Sequence, residues 1–234
     1  MPILFIAATF TLSAQETKDT WEGEDPEVVK AKVNKSKDRL VFDLTADVLL
    51  NRPDSVEMKG LSRGVNIYFM YDLPLGKSNF SVAPGIGIGT SNYYFKSSIT
   101  SDSTGTQLRP ISSDIDFKKS KIGLTYIDIP VEFRFRSKPN EKNKSWKIAA
   151  GFKGGILIHD KWKYKGEDLS NNGEDVKFKQ FNIDNLNKFR YGVTLRGGYG
   201  MLNAFVYYSL SDLFEAGKGP SLTPLSFGIS INGL

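Results

Sequence analysis

The sequence predicts an all-β fold, an eight-stranded antiparallel up-and-down transmembrane β-barrel with short periplasmic turns and longer external loops. Three observations lead to it: segments in which apolar and polar residues alternate with period two, connections that alternate between short and long, and a content of 22 Gly and 12% aromatic residues that suits many strands and tight turns. Past Leu12 there is no run of 18 apolar residues, so a membrane-embedded form must cross the bilayer with strands.

The chain begins with an uncharged apolar stretch, which predicts a signal peptide over residues 1–15. This stretch ends in Ser13, Ala14 and Gln15, a small-residue ending of the kind that signal peptidase accepts, and strongly charged sequence follows from Glu16. A basic beginning is missing, so a signal peptide clipped at its N-terminus and a merely apolar terminus both stay open.

Two further regions complete the predicted organisation. Residues 16–38 are charged and poor in strand formers, which predicts a periplasmic linker with room for one short helix beginning at Asp25 and Pro26. Residues 39–234 form the predicted barrel domain, placed in the bacterial outer membrane with periplasmic termini.

Each predicted strand has one apolar face and one face of polar or small residues. In the first strand, Leu44 and Val48 alternate with Asp43 and Asp47. An even number of strands lets an antiparallel barrel close with both termini on one side. The eight predicted strands cover residues 40–50, 63–72, 80–89, 126–135, 146–158, 189–199, 204–210 and 225–231.

The connections alternate in length, as in outer-membrane barrels, where periplasmic turns are short and external loops are long. Short turns are predicted at 73–78, 138–141 and 200–203, and long loops at 51–62, 96–119, 159–188 and 211–222. Pro84 and Pro130 lie inside strands, where each lacks an N–H for the ladder, so a bulge or local irregularity is expected at both.

The polar faces carry many charges, and these charges help to distinguish a membrane barrel from a soluble carrier barrel. A lipocalin-like carrier encloses an apolar ligand and turns its charges to water, whereas a small membrane barrel keeps a polar interior in which charges pair. Strands of about 9 to 11 residues, long enough to cross the hydrocarbon when tilted, favour the membrane barrel. The predicted interior polar cluster comprises Asp43, Asp47, Asp72, Asp128, Glu132, Arg134, Lys147, Lys153, Arg190 and Arg196.

Aromatic side chains prefer the boundary between membrane and water, because their rings tolerate both phases. With the topology above, aromatic residues on the lipid face fall at the periplasmic ends of their strands: Phe42, Tyr71, Phe80, Phe133, Phe135, Trp146 and Tyr199. An upper belt at the outer ends is predicted to comprise Tyr93, Phe95, Phe189, Tyr191 and Tyr208.

Two features invite a functional interpretation. Gly85, Gly87 and Gly89 lack the spacing of a dinucleotide-binding loop, so small inward residues that leave room for large neighbours are preferred over a phosphate cradle. His159, the only histidine, is predicted at the outer mouth of its strand, where a base beside a Ser and a carboxylate would make a lipid-hydrolysing site. An ordinary loop residue is the preferred interpretation of His159.

Composition limits cofactors and partners. The chain contains no Cys and one His, so disulfides and a dedicated transition-metal site are not expected, and no cofactor is predicted. The net charge is +5, but Lys and Arg are interspersed with acidic residues rather than gathered on one stripe, so nucleic acid is not an expected partner.

Several short stretches resemble the PorT-like outer-membrane β-barrel proteins of Bacteroidetes. These stretches are APGIGIG at 83–89, YIDIPV at 126–131, GFKGG at 151–155, YYSLSDLF at 207–214 and FGISI at 227–231. The resemblance spans the barrel and implies eight strands, with no catalytic residues to carry across. Some members of that family belong to the protein-secretion and gliding apparatus of the phylum.

The functional expectation is a structural anchor or interaction module that recognises partners through its external loops and has no enzymatic activity. The expected partners are membrane lipid and lipopolysaccharide, together with other envelope or secretion proteins. Two alternatives stay open: an outer-leaflet lipid A esterase or acyltransferase with His159 as its base, and a soluble lipocalin-like carrier.

Overall fold

The computed structural model describes residues 40–138, 140, 144–170 and 173–232. The predicted signal peptide and linker, residues 1–15 and 16–38, lie outside these described residues. The regular structure in the described ranges consists of β-strands. Among these residues there is no helix with the length and apolar character needed to span a membrane. The strands are β1 (Leu40–Leu50), β2 (Ser62–Met70), β3 (Leu73–Pro74), β4 (Phe80–Tyr94), β5 (Ser97–Asp102), β6 (Gly105–Pro110), β7 (Phe117–Arg136), β8 (Trp146–Glu167), β9 (Asp175–Phe181), β10 (Phe189–Tyr199), β11 (Leu202–Ser209) and β12 (Thr223–Asn232).

Eight strands form a closed antiparallel barrel in the order β1-β2-β4-β7-β8-β10-β11-β12. The barrel closes because β12 pairs back onto β1, from Val41 opposite Asn232 to Leu50 opposite Thr223. The predicted eight-stranded up-and-down barrel is therefore confirmed. The other strands are accessory: β3 pairs with β4, β9 pairs with β8, and β5 and β6 form a separate hairpin.

Short and long connections lie at opposite ends of the barrel. What we call the short-turn end carries the connections 75–79, 137–145 and 200–201. What we call the long-loop end carries the connections 51–61, 95–116, 168–188 and 210–222.

The apolar faces of the strands point outward and the polar faces point into the barrel. On β1, Leu44 is 51% exposed while Asp43 is 1% exposed, and on β7, Val131 is 43% exposed while Glu132 is 2% exposed. A contiguous band of exposed aliphatic and aromatic side chains fits an environment of acyl chains, because soluble monomers rarely leave so large an apolar surface facing water. Sequence alone left open which face meets lipid, and the structure assigns the apolar one.

Three barrel strands project beyond the apolar band at the long-loop end. β4 reaches Tyr94, β7 spans 20 residues from Phe117, and β8 spans 22 residues. The predicted loops 96–119 and 159–188 are therefore wrong in part, since they contain the ends of β7 and β8, the β5–β6 hairpin and β9. On the extensions of β7 and β8 lysines replace the aliphatic residues of the outward face, which hides the alternation.

Apolar side chains fill the barrel at the long-loop end and form what we call the apolar cap. Inward residues of the strand extensions contribute to it, among them Ile122, Trp162 and Tyr164. Tyr93 and Phe95 also belong to it, with exposures of 2% and 1%, so their predicted place in the lipid-facing upper belt is wrong. Tyr93 lies on the inward face of β4 because the alternation of that strand continues past its predicted end.

Both prolines interrupt the ladder without a bulge. β2 and β3 pair with β4 in the same register, and the gap between them lies beside Pro84. The Pro84 carbonyl accepts a hydrogen bond from the Tyr71 N–H, but Pro84 has no N–H with which to donate one to the neighbouring strand. On the other side of β4, the register to β7 is unchanged past Pro130, although the ladder lacks two pairs, Gly85 with Pro130 and Ile86 with Ile129. The irregularity expected at each proline is thus a local loss of hydrogen bonds.

A charged side chain introduced on the outward face of β7 tests whether the apolar band lies in hydrocarbon. We expect Val131→Arg to lower the free energy of unfolding by about 2–4 kcal/mol, because a charge near the middle of the band must be held in hydrocarbon. The control Thr125→Arg, on the same face of β7 but closer to the long-loop end, is expected to cost about 0–1 kcal/mol. Urea unfolding from phospholipid vesicles, followed by tryptophan fluorescence, measures both costs. Equal costs would contradict the band.

Candidate functional site

Charged side chains near the short-turn end form a connected set, which we call the Glu132 network: Asp43, Asp72, Glu132, Arg134, Arg136 and Arg196. Arg196 joins two acids, with Nη1 2.8 Å from Asp43 Oδ1 and Nε 3.3 Å from Glu132 Oε1. Arg134 Nη2 lies 2.8 Å from Glu132 Oε2. Asp72 then lies between Arg134, at 3.8 Å, and Arg136, at 3.2 Å. Positive and negative groups therefore alternate across the lumen, and each charge has an opposite neighbour.

A second set lies closer to the long-loop end, and we call it the Asp128 network: Tyr68, Asp128, Lys153 and Arg190. Arg190 binds the Asp128 carboxylate with two hydrogen bonds, Nε to Oδ1 at 3.0 Å and Nη2 to Oδ2 at 2.6 Å. Tyr68 donates to Asp128 Oδ2 at 3.0 Å and accepts from Lys153 Nζ at 3.4 Å. Lys153 Nζ also lies 3.7 Å from the centre of the Tyr207 ring, so a cation–π contact stabilises its charge.

The two networks hold most of the predicted interior polar cluster. Asp47 is 1% exposed and lies opposite Ser226 where β1 meets β12. Lys147 is half-buried and lines a small cavity at the short-turn end together with Arg134 and Arg196. Nine of the ten predicted residues thus lie at inward positions of barrel strands, and Asp72, between β2 and β3, also has a buried side chain. The structure adds Tyr68 and Arg136, which the same alternation would have found.

The networks and the apolar cap close the interior. One small cavity lies beneath the cap, beside Tyr126 and Arg190, and the cavity beside Lys147 lies at the other end. Neither cavity is lined by Glu132 or Lys153, and the layer of side chains that contains these two residues separates the two cavities. An eight-stranded barrel is just wide enough for its own side chains, so the described residues leave no continuous path for a solute.

Inward glycines make room for the Asp128 network. A Cβ at Gly155 would stand 2.1 Å from Asp128 Oδ1, and a Cβ at Gly89 would stand 2.4 Å from Arg190 Nη2. Gly87 lies opposite Asp128 on β4, and a Cβ there would meet the Tyr68 ring at 2.5 Å. These contacts agree with the packing interpretation of the glycine repeat.

The seven aromatic residues of the predicted lower belt lie on outward faces at the short-turn end. They group by contact: the Phe80 ring lies 5.4 Å from that of Phe133 and 5.2 Å from that of Phe135, and the Trp146 ring lies 5.2 Å from that of Tyr199. Such clusters of rings at the edge of an apolar band are typical of a membrane interface. Of the upper belt, Phe189, Tyr191 and Tyr208 are exposed at outward positions.

His159 lies inside β8, which continues to Glu167, so its predicted location in a loop is wrong. The side chain is exposed, and its ring centre lies 5.6 Å from that of Phe181. Within the described ranges His159 has no hydrogen bond to a serine or a carboxylate, the groups that a hydrolytic site would need.

A lysine-rich sheet face was missed in the sequence. The expectation that basic residues are not gathered is wrong for the extension of β7, β8 and β9, where pairing brings lysines of three strands side by side. The signal was present as lysine at every second position, in 119–121, 161–165 and 177–179. Their clustering depends on strand register, which the sequence does not state.

A family model described as Outer membrane protein beta-barrel domain matches residues 29–215, more than half of the chain. The chain belongs to this family. It is accordingly an integral outer-membrane β-barrel protein, in agreement with its outward apolar band and the ion pairs of its interior. No curated protein and no solved structure matches the chain.

Alanine substitutions at two neighbouring glycines of β8 test the packing of the Asp128 network. We expect Gly155→Ala to lower the free energy of unfolding by about 1–3 kcal/mol, because the new methyl group would overlap the Asp128 carboxylate. Gly154→Ala is the matched control, since a Cβ there meets nothing within 4 Å and alanine suits a strand better than glycine. Urea unfolding of the refolded proteins measures both, and equal stabilities would contradict the packing role.

Proposed function

We propose that this outer-membrane protein is a structural anchor that presents a folded interaction surface at its long-loop end, facing the cell exterior. The observation that carries the proposal is the division between a barrel filled by ion pairs and an ordered extension above it. A barrel with a closed lumen is unsuited to solute transport, whereas strands and a hairpin held by the apolar cap give a fixed shape to a recognition surface.

The partners in this proposal are membrane lipid with lipopolysaccharide, and other proteins of the envelope. The resemblance to PorT-like proteins of Bacteroidetes supports an accessory role in protein secretion or envelope assembly. The open groove between the β5–β6 hairpin and the last long loop offers one place for a protein segment to bind.

Single cysteines test the orientation. The chain has no native Cys, so Ser170→Cys at the long-loop end and Lys77→Cys at the short-turn end each introduce a unique thiol. We expect a membrane-impermeant maleimide to label Ser170→Cys on intact cells, and to label Lys77→Cys only after the envelope is opened. The reverse pattern would overturn the proposed orientation and leave the barrel itself unaffected.

The proposal assigns no enzymatic activity to the chain, and His159 tests this. We expect lipid A from cells producing the wild-type protein, the His159→Ala variant or no copy of it to have one composition by mass spectrometry. The reason is that His159 packs against Phe181 on the outer surface and, within the described ranges, forms no hydrogen bond with a carboxylate. A lipid A species present only with the wild-type protein would contradict the proposed anchor role and would indicate an acyltransferase or esterase.

A further inference from the structure

The outward face of the sheet extension consists of lysines, and we call it the lysine face: Lys119, Lys121, Lys161, Lys163, Lys165, Lys177 and Lys179. Two rows of three run straight across β7, β8 and β9. Lys163 is paired with Lys121 on one side and with Lys179 on the other. In the next row, Lys165 is paired with Lys119 and with Lys177. Directly opposed residues share a face, so six ammonium groups stand on one side of the sheet.

The side chains on the reverse of this sheet are apolar. Trp162 and Tyr164 are buried there, and the Phe178 ring lies 5.0 Å from that of Trp162 and 5.3 Å from that of Tyr164. This packing holds the three strands in register and keeps the lysines on the outside. The lysine face is therefore a fixed feature of the fold.

Among the described residues, no acidic side chain neutralises the lysine face. Within residues 40–138, 140, 144–170 and 173–232, none of the seven lysines forms an ion pair with an acidic side chain. The pKa of Lys163 is lowered, first by loss of solvation and then by the charges of four other lysines of the face. Like charges opposite one another destabilise a sheet, so a bound anion would stabilise this arrangement.

The lysine face continues the lipid-facing surface of the same strands. Along β7 the outward positions pass from Ile127 through Thr125 and Gly123 to Lys121. Tyr94 lies beside this boundary, with its ring centre 5.5 Å from Lys121 Nζ and 5.8 Å from Arg63 Cζ. Aromatic and basic residues just beyond an apolar band are typical of the headgroup layer, where long lysine side chains reach phosphates.

We propose that the lysine face binds the phosphate groups of lipid headgroups at the long-loop end of the barrel, which in the outer leaflet are those of lipopolysaccharide. This inference rests on the proposed function only for the identity of the leaflet. Lysine is a compact point charge without the planar fork of arginine, so rows of lysines suit several mobile phosphates better than one rigid ligand. A lipid headgroup is favoured over a soluble polyanion because the face adjoins acyl chains.

The test uses the full chain refolded in detergent micelles, with bisphosphorylated lipid A as the probe and native mass spectrometry to count bound lipid. Replacing the central row by Lys121→Gln, Lys163→Gln and Lys179→Gln is expected to weaken binding about 10-fold or more, since each lysine near an anionic surface contributes separately. The matched control removes three exposed lysines of the short-turn end, Lys77→Gln, Lys138→Gln and Lys144→Gln, and is expected to bind like the wild type.

Stability separates lost binding from lost structure. Removing three opposed like charges is expected to leave the thermal unfolding temperature of the lipid-free variant unchanged or raised, so weaker binding with a lower unfolding temperature would contradict the proposal. Binding is also expected to fall with fewer lipid phosphates and with added salt.

Two ligand comparisons complete the test. Equal binding of dephosphorylated lipid A, or equal losses in both triple variants, would overturn the phosphate site. If inorganic phosphate bound as tightly as lipid A, the ligand of the lysine face would be a free anion rather than a lipid. If polyglutamate bound as tightly, the ligand would be an acidic polypeptide. Micelles impose no orientation, so these outcomes do not depend on the cysteine labelling.

Discussion

The pairing of charges inside the barrel is the constraint on which the rest of the structure depends. With aliphatic faces turned to lipid, the lumen is left to polar side chains, and a charge buried there alone would be far costlier than a paired one. Removing one partner of such a pair typically costs about 3–5 kcal/mol, a large share of the stability of a domain. The glycines beside Asp128 and the tyrosine rings over Lys153 follow from this requirement, because they give the paired groups room and cover.

The molecule has two interiors of opposite character. Between the lipid-facing walls the contents are ionic, whereas beyond the apolar band the contents are Trp162, Tyr164 and their neighbours, as in a water-soluble domain. Each interior is the reverse of its surroundings: the ionic one is enclosed by hydrocarbon, and the apolar one lies under a surface of lysines. The change from one to the other accompanies the register shift between Thr125 and Tyr126, which lets β7 and β8 continue as one pair.

Much of this arrangement could be predicted from the sequence, because period-two alternation states which residues share a face. The eight strands, the inward Asp128 and Arg190 and the aromatic clusters at the short-turn end follow from it directly. The extension could not be predicted in the same way. Its outward positions carry lysine where the membrane strands carry isoleucine, so the segments around Lys121 and Lys163 resemble loops until pairing with β9 is known. The specific partners inside the lumen also depend on stagger between strands, which no local pattern encodes.

The seam between β1 and β12 has a consequence for how the molecule forms. It joins the first and the last strand of the described chain, so the wall cannot be completed until the final segment has been synthesised and delivered. Contacts between such distant segments form slowly, because the intervening chain must first be gathered at an entropic cost. Until then the outward Ile, Val and Phe residues have neither lipid nor partner strands, and the chain needs protection from self-association on its way to the membrane.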